Sequence, residues 1–111
     1  MAKRDRLPVD LDVVFAALAH PIRRSILERL AAGDASVSEL AKPHRVSLPA
    51  ISGHLKVLEK AGLLKVTPEW RVHRCQIVAA PMSAAFGWLI RYRILWEDRL
   101  DRLSEAAEEK P

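Results

Sequence analysis

At 111 residues, half of them hydrophobic and 29% charged, with a net charge of +4 and a pI near 9.6, the chain has the makeup of one globular domain, not of a disordered or collagenous segment. No apolar run approaches the roughly 18 residues of a membrane span, and the amino terminus MAKRDRLPVD carries no apolar secretory core. The lone cysteine, Cys75, excludes an internal disulfide framework and a Cys-rich zinc site, so a cytoplasmic domain without a structural metal is expected.

Residues 1–9 read as a flexible basic tail. Asp10 is placed to cap a first helix carrying Leu11, Val14, Phe15 and Leu18 at helical spacing. His20-Pro21 ends it, because the residue before proline is pushed out of the α region. Pro21 suits the first position of a second helix, with Ile22, Ile26, Leu27 and Leu30 on one stripe and Gly33 as its stop. Arg23 and Arg24, near the start of that helix, read as solvated or ion-paired. Ser36-Val37-Ser38-Glu39 has the S-x-x-E capping-box pattern and opens a short third helix holding Val37, Leu40 and Ala41, which Pro43 closes. Ser47 caps a fourth helix whose inward stripe is Leu48, Ile51, Leu55 and Leu58, with Gly62 at its end.

The period then changes. Leu64–Val66 and Val72–Val78 read as a two-stranded hairpin around a Thr67-Pro68-Glu69-Trp70 turn. Cys75 shares its strand parity with Ile77 and faces the core. A final helix over 81–108 carries Met82, Phe86, Leu89, Arg93, Trp96, Leu100, Leu103 and Ala107 at steps of three and four, a heptad seam interrupted by Arg93. That seam is too long and too apolar for one small domain to cover, so it predicts a homodimer, with Val14 and Leu18 of the first helix contributing. Arg93 must reach the seam's edge or pair with a carboxylate such as Glu97.

A short helix, a tight turn and a longer helix form a helix-turn-helix. With its apolar stripe inward, the fourth helix points Pro49, Ala50, Gly53, Lys56 and Lys60 outward, with Ser52 and His54 on its flanks. Small residues on an exposed helix suit entry into the major groove of double-stranded DNA, where bulk would hold the helix away from base edges. Lysines farther along reach phosphates, and a basic hairpin with Arg71, His73 and Arg74 sits beside them. Residues 42–74 hold seven Lys and Arg against two Glu, a net of +5, whereas residues 81–111 carry five against six, so the two regions suit different partners.

LAHPIRRSILERL, then SVSELAKPHRVSLPAISGHLKVLEKAGLL, then a hairpin and a long amphipathic helix, together resemble the ArsR (arsenic-repressor-like) family of bacterial winged-helix regulators over about residues 10–105. The resemblance implies a mainly α winged helix-turn-helix with a small β-hairpin, dimeric through its first and last helices and repressing from an operator. It makes the fourth helix the recognition helix, with Pro49, Ser52 and Gly53 at DNA-contact positions. Metal-sensing members carry paired cysteines on the third helix, where this chain has Glu39-Leu40-Ala41-Lys42. Others carry Asp and His pairs on the last helix, which here has no histidine. The wing tip lacks the usual glycine and carries Pro68 and Trp70.

The expected DNA-contact set is therefore Ser47, Pro49, Ala50, Ser52, Gly53, His54, Lys56, Arg71, His73 and Arg74. The expected dimer set is Val14, Leu18, Met82, Phe86, Leu89, Trp96, Leu100 and Leu103. His20, His44, His54 and His73 share no close ligand spacing, so no metal, cofactor or membrane is expected, and the effector is unnamed. With no Gly-rich phosphate loop and no paired carboxylates in a plausible cleft, an enzyme is not expected. The rival readings are a winged-helix protein-interaction module, or a regulator that responds to metal or redox through an intersubunit site.

Overall fold

A computed structural model describes residues 9–108, so all but Val9 of the expected basic tail lies outside the described residues. In chain order the elements are α1 (Leu11–Leu18), α2 (Pro21–Ala31), β1 (Ala35–Ser36), α3 (Val37–Ala41), α4 (Leu48–Lys60), β2 (Leu64–Glu69), β3 (Val72–Ile77) and α5 (Ala80–Glu108).

Each early helix begins on a side chain that accepts from an otherwise orphaned backbone amide. The Asp10 carboxylate accepts from Asp12 N at 3.0 Å and Val13 N at 3.4 Å. His20 is more than a break before Pro21: its Nδ1 accepts from Ile22 N at 3.1 Å and caps α2. The capping box forms as its spacing predicts, Glu39 N donating to Ser36 Oγ at 3.1 Å and Ser36 N to Glu39 Oε1 at 3.0 Å. These hydrogen bonds from Ser36 hold the Glu39 carboxyl below the usual carboxylate range, with Arg29 nearby adding to the effect. Ser47 Oγ accepts from Ala50 N at 3.2 Å at the head of α4.

The core takes Val14 from the predicted stripe of α1, Ile26, Leu27 and Leu30 of α2, Leu40 of α3, and Ile51, Leu55 and Leu58 of α4, adds Ala17, Leu63, Leu64 and Cys75, and leaves the predicted Leu11, Phe15, Leu18 and Ile22 partly buried against its edge. Burying each large aliphatic side chain is worth roughly 1.5–3 kcal/mol. Leu48 departs from expectation. It sits at the first helical position of α4, beyond the end of the core, and is 52% exposed rather than part of the inward stripe.

The sheet is larger than the expected hairpin. β1 pairs antiparallel with β3 (Ala35 opposite Cys75, Ser36 opposite Arg74), giving three strands in the order β1-β3-β2. A two-residue strand has too little sequence for a period-2 signal, which is why reading the chain misses it. β2 also runs farther than expected. Thr67, Pro68 and Glu69 remain paired, with Glu69 opposite Val72, so the turn is only Trp70 and Arg71. Pro68 is tolerated because β2 is an edge strand. Counting from the turn, its pair with His73 is a non-hydrogen-bonded one, so its missing N–H would have faced outward. Cys75, on the central strand, is fully buried.

α5 packs only through its beginning. Pro81 and Ala85 are buried, Phe15 of α1 meets Trp88 edge-on at 5.7 Å between centroids, and Trp88 lies 4.4 Å from Tyr92. From Arg91 onward every described side chain is exposed. The radius of gyration, 19.1 Å, exceeds the roughly 13 Å expected of a compact domain this size, because a helix of about 43 Å projects from the body.

Gly62 follows α4 with φ +76°, and a Cβ there would lie 3.3 Å from Pro81 Cγ. Gly62→Ala should therefore destabilise the fold by about 1–2 kcal/mol through left-handed strain and a tightened contact. Urea denaturation checks this; an unchanged midpoint would count against it.

Candidate nucleic-acid interface

The stripe Ile51, Leu55 and Leu58, each 4% exposed or less, fixes the rotation of α4 about its axis. Pro49, Ala50, Gly53, Lys56 and Lys60 face outward, and a Cβ added at Gly53 would meet no atom within 4 Å. Ser52, half-buried on one flank, lines a groove with Val37, Lys56, Glu59, Val66 and His73. An adjoining groove runs from Ser36 and Ser38 past Leu48 and Ser52 to Arg71, Val72 and His73. The start of α3, the first turns of α4 and the wing thus border one concave surface. Leu48 belongs to its wall, a residue that the amphipathic pattern assigned to the core.

The predicted site residues do not all point into this surface. His54 lies on the opposite flank of α4, with its Nδ1 3.1 Å from Arg23 Nη1 and its ring centroid 4.4 Å from that of His20. Arg23 also donates through Nε to the carbonyl of Ala17 at 2.6 Å and through Nη2 to that of Ala16 at 3.1 Å, while Arg24 Nη1 donates to Leu18 O at 2.8 Å. The two arginines expected to be solvated or ion-paired instead satisfy the orphan carbonyls at the end of α1. Side-chain spacing along the sequence held no sign that His54 joins this cluster, because it lies 31 residues from Arg23 and 34 from His20.

Arg74 is likewise engaged within the chain, 3.1 Å from Glu69 and 3.6 Å from Asp34, and Gln76 Nε2 donates to Asp34 at 3.1 Å. It ties the wing to the start of β1. Lys56, Lys60 and Arg71 take part in none of the ion pairs among the described residues. Of the seam residues, Phe86, Leu89, Trp96, Leu100 and Leu103 are 49–66% exposed. Met82 and Leu18 are half-buried, and Val14 is only 1% exposed, inside its own chain's core and behind the surface a partner would meet. Arg93 pairs with Glu97 at 3.7 Å along the helix.

A helix-turn-helix domain family model matches residues 18–67. The solved structure of an ArsR family transcriptional regulator, RHA00566, superposes with a TM-score of 0.75 at 41% identity, covering 83% of this chain and 95% of that one. The chain belongs to the ArsR family of transcriptional regulators. It is 53% identical over 53 residues to the HTH-type transcriptional regulator Rv2034 of Mycobacterium tuberculosis, an alignment covering 48% of this chain and half the length of that relative. It is also 27% identical over 79 residues to the transcriptional repressor SdpR of Bacillus subtilis, covering 71% of this chain and 88% of that one.

The matched region holds α3 and α4, which form the helix-turn-helix of an ArsR-type regulator, and the concave surface lies along them. Over Glu39–Lys42, the stretch where the resemblance puts the paired cysteines of metal-sensing members, this chain has neither cysteine nor histidine. Among the described residues no group of three or more His, Cys, Asp or Glu is arranged to hold a metal ion, and no helix is long and apolar enough to cross a membrane. Burial pushes the Cys75 thiol above its ordinary range, with Glu59 adding to the rise, which disfavours the reactive thiolate.

Burial first, then the neighbouring His20, Arg23 and His44, lower the pKa of His54 below its ordinary 6.5. The folded state thus favours the neutral ring, in keeping with an Nδ1 that accepts from Arg23. The resulting stability is fully present above pH 6.5, and it is lost as pH falls through the lowered folded value, because the unfolded chain binds the proton first. Urea midpoints should hold steady from pH 8 to about 7 and decline below about 6.5, with His54→Gln flattening the decline. An identical decline in His54→Gln would assign it to other groups.

Proposed function

We propose that the chain is a homodimeric repressor that binds an inverted-repeat operator through the outward face of α4 and the wing, without a metal. The observation that carries this reading is the face itself: Pro49, Ala50 and Gly53 stand open to solvent on the first turns of α4, with Lys56 and Lys60 behind them. Such a helix brings its backbone close to base edges while its lysines meet phosphates. Ser47, Ser52, Arg71 and His73 flank that face, and His54 and Arg74 act by holding α4 and the wing in place. Repression is supported by the similarity to SdpR, a transcriptional repressor.

Dimerisation follows from α5. Phe86, Leu89, Trp96, Leu100 and Leu103 are each 49% or more exposed, forgoing part of the roughly 1.5–3 kcal/mol that full burial of each would give. A second copy packed two-fold along this helix covers them and sets two α4 helices about 34 Å apart, one turn of DNA. The Arg93–Glu97 pair keeps the charge inside the seam at its edge. Absence of metal dependence is supported by the residues at the family's ligand positions.

Duplex from upstream of the coding sequence should bind with an affinity that falls by about 10³–10⁵ between 50 and 200 mM salt, as for a dimer neutralising about 6–10 phosphates. Ser52→Glu should abolish that binding with little change in stability. Gly53→Ala should stabilise the fold by about 0.5–1 kcal/mol yet weaken binding, because helix propensity rises while the backbone is held off the DNA. A flat salt profile in fluorescence anisotropy, or normal binding by Ser52→Glu, would place the recognition surface elsewhere.

The paired substitution Trp96→Glu and Leu100→Glu should give monomers in sedimentation that bind the operator far more weakly. Wild-type protein that stays monomeric on DNA would contradict the dimer.

A further inference from the structure

Trp70 is 94% exposed, the most exposed of the large hydrophobic side chains described. It is also the one non-glycine residue among those described with positive φ, +62°. It occupies the first position of a two-residue hairpin turn, where positive φ favours glycine. A bulky side chain at that position strains the backbone, and this one recovers nothing within its own subunit. Pro68 and half-exposed Val72 extend the apolar tip beside it.

The surroundings of the tip point to one partner. Arg71, next to Trp70, lines the groove shared with Ser52 and Leu48 of α4. Glu69, whose charge would repel a phosphate backbone, lies 3.1 Å from Arg74, and Arg74 and Gln76 tie the wing's base to Asp34. A stiff hairpin therefore presents an indole beside an arginine whose charge no ion pair among the described residues engages.

Resting on the reading that α4 and the wing meet duplex DNA, we propose that Trp70 is an apolar anchor that packs its indole against the deoxyribose and base edges lining the minor groove beside the α4 site. Apolar side chains inserted there gain contact without meeting a phosphate. Its contribution to affinity therefore displaces no counterion and does not depend on salt, unlike that of Arg71.

The test compares wild-type, Trp70→Ala, Trp70→Gly and Arg71→Ala on one duplex from upstream of the coding sequence, over a series of salt concentrations, with a thermal melt of each protein. Trp70→Ala should bind about tenfold more weakly, about 1.4 kcal/mol, at every salt concentration, on a line parallel to wild type. Arg71→Ala should lower the log–log slope by about 0.9. Trp70→Gly should bind as weakly as Trp70→Ala while melting about 4 °C or more above wild type, since glycine relieves the positive φ. Trp70→Ala as tight as wild type would overturn the proposal and leave the indole to a protein partner, and a shallower slope for Trp70→Ala would overturn it by revealing a lost ionic contact. Wild-type protein that shows no salt-dependent duplex binding would remove the DNA reading and this anchor together, an outcome distinct from a failure of Trp70 alone.

Discussion

Three aliphatic side chains on one thirteen-residue helix set which face of α4 is turned outward. Ile51, Leu55 and Leu58 are sealed against α2, α3 and the base of the sheet. Turning α4 by one residue's rotation would drive half-buried Ser52 and charged Glu59 inward and lift those side chains toward water, at a cost on the order of 5 kcal/mol or more. The helix has one rotational setting for this reason. Gly53 then looks straight out, Ser52 turns to the wing, and His54 turns to α2.

Polar contacts hold that setting from the other flank. Arg23 reaches the carbonyls of Ala16 and Ala17 at the end of α1 and the Nδ1 of His54 on α4, so one guanidinium touches two helices from a third. The carbonyl end of α1 carries partial negative charge, which a fixed cation matches. α1 in turn rests on α5 through Phe15 and Trp88. The helix bearing the exposed apolar seam and α4 are thereby joined through a short chain of packed and hydrogen-bonded groups.

The amphipathic stripes, three of the four caps and the position of the hairpin were legible in the sequence, because each depends on neighbours within a turn or two. The capping box is the plainest case: Ser36 and Glu39 meet as an S-x-x-E spacing requires. What escaped depended on distant partners or on ends. β1 is two residues long and exists only because β3 lies beside it. Leu48 has the right phase for the core, but it stands one turn past the core's edge. The Thr67–Trp70 segment has turn chemistry, yet Thr67 through Glu69 stay in the ladder because proline fits an outward-facing slot on an edge strand. In the candidate site, the outward face of α4 followed from periodicity alone. The inward commitment of His54 and the tie from Arg74 to Asp34 did not, since these partners lie 31 to 40 residues away, and the Arg74–Glu69 pair needed the exact strand register.

In the proposed complex, two copies of this face, set apart by α5, read one side of a duplex. Hydroxyl-radical footprinting of the wild-type protein on DNA from upstream of its coding sequence tests this arrangement most directly. Two protected patches are expected on the same side of the helix, about one turn apart and related by a dyad through an inverted repeat. A single patch without a dyad partner, protected by a protein shown to be dimeric at the same concentration, would contradict it.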